Sequence, residues 1–272
     1  MSEAAALEEM MPQHVLTGLS VDGLSVFYRR RRPILDDISF TAPRGELTAL
    51  IGANGCGKST LIHTILDLVP ASAGSVLFDG IPMADEQSWN TGFCGDDLPL
   101  PELLTGAEYF HVMTRLRGAW VPAIAVTDLF AALNMAGAES RVIREYSHGM
   151  KRKLQLLANV VHQPDLLILD EPFRGLDPES HGLMQRLLDS YARQGRCVLL
   201  STHDLDLARR LCHRFVVISS GGVNLVDTAH DAADGRALVQ TGPDSLGDGE
   251  SADWPERRVN RFFELLREVS AT

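Results

Sequence analysis

No apolar run in the 272-residue sequence approaches the roughly 20 residues a helix needs to cross a bilayer. Any membrane role is therefore expected to come through a partner. The first stretch, Met1 to Pro12, is acidic and has no secretion-signal pattern. Cysteine is sparse: Cys56, Cys94, Cys197 and Cys212 form no CxxC pair and no metal-ligand spacing. That usage fits a reducing cytoplasm, with Cys197, in an apolar run, as a small core hydrophobe. A basic surplus is missing too, since 25 Lys and Arg against 36 Asp and Glu leave a formal charge of −11. A nucleic-acid partner is disfavoured, because phosphates must be met by a basic surface. The one dense basic run, Arg29 to Arg32, reads as a solvated loop between strands. There is no internal repeat and no N/T-K-x-D guanine-reading motif.

What is present is ordinary globular material. Hydrophobic residues make up 45% and charged residues 22%, enough for a sizeable core in one large domain or two small ones. Residues 1–14 read as a loose tail. Short apolar runs from Val15 to Phe40 suggest a small antiparallel sheet. Glu46 to Ile51 reads as a buried strand, Lys58 to about Leu68 as a helix stopped by Pro70, and Gly74 to Phe78 as a strand before an Asp79-Gly80 turn. From about Leu103 to Val161 the pattern is helical. The last helix of that stretch has Ser147 as N-cap, with Met150, Leu154, Leu157 and Val161 on one face. Leu166 to Leu169 is unbroken apolar sequence, as in a strand covered on both faces. Asp177 and Pro178 open a helix ending at Gly195. A strand from Val198 to Ser201, a helix from Asp204 to Cys212, a strand from Phe215 to Ile218 and a turn at Gly221-Gly222 follow. Such alternation implies an α/β core with a parallel sheet. Residues 231–254 read as a linker. Residues 255–272 read as an amphipathic helix, with Phe262, Phe263, Leu265, Leu266 and Val269 on its apolar face.

Two constellations carry chemistry. Gly52-Ala53-Asn54-Gly55-Cys56-Gly57-Lys58-Ser59 fits GxxxxGK[ST], a phosphate-binding P-loop, between an apolar strand and a helix. Its glycines let several backbone N–H groups face one phosphate chain, and the helix N-terminus adds a favourable dipole. Lys58 is placed to reach the β- and γ-phosphates, and the Ser59 hydroxyl to coordinate Mg²⁺. Thr60 is grouped with the same nucleotide-binding run. The second constellation is Asp170-Glu171, at the C-terminal end of a buried strand, where ligands bind in α/β sheets. Asp170 is read as the Mg²⁺ carboxylate and Glu171 as the base that deprotonates the attacking water. Alone, such a pair is more often a helix-start signal; a P-loop in the same chain reverses that reading.

From about Leu16 to Val226 the sequence resembles the ATP-binding cassette (ABC) ATPases. Tyr146-Ser147-His148-Gly149-Met150 looks like the family's LSGGQ signature, matching at Ser147 and Gly149 and departing at His148 and Met150. The YSxGMK version is familiar in cassettes that serve separately encoded export permeases. Glu171 to Pro178 resembles the segment leading into the D-loop, with Asp177 as its aspartate. His203 falls at the switch-histidine position, and Tyr28 where an aromatic ring stacks on adenine. Where the family usually has a Gln that touches Mg²⁺ and the permease, Thr91 to Asp97 places Asp96, with Asp97 as the alternative register.

The resemblance implies an α/β fold: a P-loop core, an antiparallel β-subdomain and an inserted helical subdomain at about 103–161, within an ATP-binding domain at 15–230. It implies ATP and Mg²⁺ as ligands. Glu171, His203 and Lys58 would be catalytic. Tyr28, Gly52, Asn54, Gly55, Gly57, Lys58, Ser59, Thr60, Asp96, Ser147, Gly149 and Asp177 would bind nucleotide. Ser59, Asp96 and Asp170 would hold the metal. The expected partners are a transmembrane permease and a second, identical ATP-binding subunit, with no nucleic acid, at the cytoplasmic face of a membrane. The alternative is a soluble ABC ATPase outside transport. A P-loop kinase or GTPase is opposed by the signature and the histidine.

Overall fold

The computed structural model describes residues 18–27, 33–85, 90–96, 99–118, 120–219, 222–226, 260 and 262–264. The tail, the Arg29 to Arg32 run, Tyr28, Asp97, Gly221, the linker and most of the C-terminal segment lie outside the described residues.

Near the N-terminus, β1 (Gly18–Phe27) pairs antiparallel with β2 (Pro33–Pro43) on one side. On the other side it pairs with β4 (Ala73–Phe78), which continues through the Asp79-Gly80 turn into β5 (Ile81–Pro82). Asp79 pins this sheet to the rest of the fold. Its carboxylate accepts the Gly18 N–H at 2.7 Å and the Arg44 guanidinium at 2.6 Å, and Arg44 also meets Asp165 at 3.1 Å.

The second sheet has the order β10-β9-β3-β8-β7-β6. Its strands are β3 (Leu47–Ile51), β6 (Thr91–Cys94), β7 (Leu166–Asp170), β8 (Cys197–Thr202), β9 (Arg214–Ser219) and β10 (Gly222–Val226). All the pairings are parallel except β9 with β10. The apolar runs read from the sequence split between two cores by alternation along each strand. Leu47, Ala49, Leu167, Leu169, Val198 and Leu200 face a helical layer. Leu50, Leu166, Ile168, Cys197 and Leu199 face the antiparallel sheet and α1 (Lys58–Ile65). Strands buried on both faces need no polar alternation, which is why they read as continuous hydrophobic runs.

The remaining helices are α2 (Gly106–Leu116), α3 (Ala123–Ala132), α4 (His148–Val160), α5 (Pro178–Arg193) and α6 (Leu205–Leu211). Thr105 and Glu108 close a reciprocal capping box at the start of α2. Ser147 caps α4 by accepting the Met150 N–H, and Asp177 caps α5 by accepting the Ser180 N–H. Helix α1 stops at Ile65, short of Leu68, with Asp67 in the left-handed region at φ 55°. Helices α2 and α3 lie in sequence between β6 and α4, within the stretch read as helical. Arg117, just past α2, ties them to the core by donating to Thr91 O at 3.3 Å and Asn159 Oδ1 at 2.6 Å and by meeting His162. Burial, helped by the Arg117 charge, pushes the His162 pKa down to about 4. Phe262 and Phe263 pack into the helical-side core, with Phe263 stacked on Tyr191 at 6.2 Å.

The strand β6 was not legible in the sequence, where Thr91 to Asp97 reads as a loop. It is short and half-interrupted by Gly92, whose missing Cβ lets the strand pass under α4. A Cβ there would lie 2.8 Å from Asn159 O. Because β3, β7 and β8 run parallel, their C-terminal ends deliver Gly52, Asp170-Glu171 and His203 to one edge of the sheet.

Candidate nucleotide site

At that edge is a cavity of about 590 Å³ lined by Asn54, Gly55, Gly57, Lys58, Ser59 and Thr60 of the loop and helix after β3. Asp170 and Glu171 from β7, Gly95 and Asp96 after β6, and Ile34, His63 and Phe93 complete the wall. The loop has its shape because Gly55 and Gly57 adopt φ of 82° and 110°, conformations L side chains rarely take. Gly52 is demanded by crowding instead, for a Cβ there would sit 2.5 Å from Cys56 Sγ and 2.7 Å from Ile218 O. Lys58, 7% exposed, donates to Gly52 O at 2.7 Å and Ala53 O at 3.3 Å. Its ammonium is thus held inside the loop, 4.0 Å from Glu171 Oε1.

The carboxylates have distinct surroundings. Asp170 is 6% exposed and accepts from two hydroxyls, Ser59 Oγ at 2.9 Å and Ser201 Oγ. Glu171 takes φ 49°, which turns it away from the strand, and its backbone N–H donates to Ser201 Oγ at 3.0 Å. Its side chain meets His203 Nδ1 at 2.9 Å. Wherever the Glu171 carboxylate is ionised it can only accept, and Nδ1–H is then the donor in this contact.

The donor set suits Mg²⁺. Among the described residues no group of three or more His, Cys, Asp or Glu forms a closed cage. Ser59 and Asp170 instead offer hard oxygens side by side at the cavity wall. Mg²⁺ is ordinarily held so, by one or two protein oxygens with water and substrate phosphate completing the shell.

Several expected site residues stand differently. Asp96 lines the cavity, yet its carboxylate is taken by cations of the protein: Oδ1 by Arg152 of α4, and Oδ2 by Arg174 at 2.6 Å. Those ion pairs compete with any contact to metal for the carboxylate oxygens. Ser147, Gly149 and Asp177 do not line the cavity. Ser147 is exposed at the start of α4, and Gly149 packs near Leu176, its ideal Cβ position 3.5 Å from Leu176 Cδ2. Asp177 is held below the usual carboxylate range by the Ser180 backbone and side-chain hydrogen bonds. Tyr28 and the alternative register at Asp97 fall outside the described residues. Ser201, Arg152 and Arg174 were missed in the sequence. A serine ending a strand carries no local mark, and the two arginines are far from Asp96 in the chain.

Known proteins resemble the chain in sequence and in fold. Residues 35–174 match the family described as ABC transporter. The chain is 35% identical over 215 residues to "Nod factor export ATP-binding protein I" of Rhizobium meliloti (strain 1021), covering 75% of this chain and 60% of that protein. It thus spans less than two thirds of that relative's length. It is 29% identical over 207 residues to "Lantibiotic transport ATP-binding protein SrtF" of Streptococcus pyogenes, covering 76% of this chain and 89% of that one. Among solved structures, "Structure of ATP binding subunit of ABC transporter" superposes with a TM-score of 0.71 at 28% identity, over 90% of this chain and all of that one. A putative metal-chelate type ABC transporter in an inward-facing conformation shares the fold, with a TM-score of 0.66 at 20% identity.

Proposed function

The chain belongs to the ABC transporter family, and from that membership and the cavity we propose that it binds MgATP, hydrolyses it, and couples the cycle to a separately encoded membrane permease. The observation that carries this reading is the convergence of Lys58, Ser59, Asp170, Glu171 and His203 at one sheet edge around a phosphate-binding loop. The loop's N–H groups and Lys58 hold the phosphates. Ser59 and Asp170 would hold Mg²⁺, which would supply charge neutralisation for the phosphate chain. Glu171 takes a proton from the attacking water as the water oxygen bonds to the γ-phosphorus and the bond to the ADP oxygen breaks. His203 fixes the Glu171 carboxylate and then meets the γ-phosphate. Asp96, at the cavity wall, would approach the metal or its water in competition with Arg152 and Arg174. From the family resemblance, Tyr28 would stack on adenine.

Ser147, Gly149 and Asp177, outside the cavity of a single chain, complete the site of a second copy in a homodimer. Export is favoured because the relatives include proteins named for Nod factor export and lantibiotic transport, and because Tyr146 to Lys151 reads YSHGMK. No helix among the described residues is long and apolar enough to cross a membrane. The helical stretch instead exposes Leu103, Leu116, Trp120 and Ile124, 55% to 79% accessible, as apolar side chains available to the permease at the cytoplasmic side. The acidic balance disfavours a nucleic-acid partner.

Glu171→Gln tests the reading, since it keeps shape but removes the basic oxygen. ATP binding is expected to persist, hydrolysis to fall by about 10²-fold or more, and an ATP-bound dimer to accumulate. Near-wild-type phosphate release by the purified variant would sink the assignment.

A further inference from the structure

The pairing of β7 with β8 sets Asp170 directly beside Ser201. Ser201 is fully buried. Its hydroxyl has one proton, and Asp170 Oδ1, an acceptor when ionised, takes it. The lone pairs remain for the Glu171 N–H, which reaches Ser201 Oγ at 3.0 Å. Glu171 lies just beyond the end of β7, where the chain leaves the sheet at φ 49°. There the hydroxyl supplies the acceptor that the ladder no longer does, and a buried N–H left without one is costly. The left-handed conformation is uncommon for glutamate and persists only where its surroundings hold it.

We propose that Ser201 is a positioning residue for the hydrolytic step: one hydroxyl fixes the metal-side carboxylate of Asp170 and the backbone turn that aims Glu171. The proposal rests on Glu171 being the general base. Among the described residues Ser201 makes its hydrogen bonds to Asp170 and Glu171, not to the loop amides or Lys58 that are proposed to hold the phosphates. Its loss therefore acts on turnover and leaves nucleotide affinity in place. Asp170 keeps its second hydroxyl, Ser59, so the metal oxygen is loosened rather than lost.

The test uses the purified full-length chain at saturating Mg²⁺, with kcat and KM for ATP from phosphate release and affinity for MgADP by calorimetry. Ser201→Ala is expected to lower kcat about tenfold, as for one lost hydrogen bond in the transition state. KM and MgADP affinity should stay within about twofold of wild type. Ser201→Cys refills the space with a weak hydrogen-bonding group, and the same loss is expected. Wild-type kcat in Ser201→Ala overturns the proposal. So does recovery of full turnover in Ser201→Cys, which would make the role one of packing. A parallel loss of kcat and MgADP affinity also overturns it. Should Ser201→Ala fail to fold, Ser201→Cys decides alone by the same criteria. Glu171→Gln is run beside them. Its full activity removes the general-base reading and this proposal together, whereas an inactive Glu171→Gln with a fully active Ser201→Ala removes only the role of Ser201.

Discussion

At the scale of single residues, the glycines of the phosphate loop show how one motif encodes different constraints. Gly55 has φ 82° and nothing within 4 Å of where a Cβ would be, so its requirement is conformational. Gly52 has no left-handed φ but no room, with Cys56 Sγ on one side and the Ile218 carbonyl of β9 on the other. The sulfur can swing; the strand carbonyl cannot move without disturbing the sheet. Gly52→Ala should therefore push the start of the loop off β9 at a strain cost of about 1–3 kcal/mol. Nucleotide affinity should fall about tenfold or more while the protein still folds. Calorimetric titration with MgADP alongside a melting curve checks this, and unchanged affinity would mean the loop absorbs the methyl. This residue set was open to sequence reading because its members are adjacent in the chain. Ser201 was not, because its meaning comes from β7 and β8 lying side by side. Nor were the partners of Asp96, since Arg152 and Arg174 reach it from segments 56 and 78 residues away.

At the scale of elements, legibility followed pattern length. Helix α4 was readable from its cap and apolar stripe, and β7 from its apolar run. Strand β6 was hidden because four residues containing a glycine carry no period. What β6 packs against also matters for stability. Thr91 O, Asn159 and His162 all receive Arg117, so the helical stretch is clamped to the core through a group that titrates. Burial and the neighbouring guanidinium hold His162 at about 4 in the folded protein, against 6.5 ordinarily. Below 6.5 the unfolded chain binds a proton that the folded chain refuses. Stability from this group is thus complete above that pH and is lost as pH falls toward 4. After allowance for partial exposure, roughly 0.5–1 kcal/mol should disappear between about pH 6.5 and pH 5. His162→Gln retains a polar side chain but cannot titrate, so its melting temperature should decline less than that of wild type across this interval. Parallel declines would show that the histidine accepts a proton without opening the clamp.

At the scale of the whole molecule, the proposed homodimer turns on what a single chain would leave incomplete. Ser147, Gly149 and Asp177 sit near the Gly175–Leu176 segment and outside the cavity, so one chain presents a phosphate site on one part and signature residues on another. A two-fold dimer pairs these surfaces twice. Lys58→Ala spoils the phosphate half of each site, and Ser147→Arg blocks each signature half. Either variant alone should have little activity. In a mixed dimer both lesions fall in the same composite site. The other site combines an intact Lys58 from one chain with an intact Ser147 from its partner. Equal mixing makes about half the dimers mixed, so independent sites should restore about a quarter of wild-type turnover. Phosphate release from the two purified variants, assayed separately and after subunit exchange, measures this directly. Full activity of Ser147→Arg alone, or no gain on mixing once mass analysis shows that exchange has occurred, would mean that each chain hydrolyses ATP without its partner's signature.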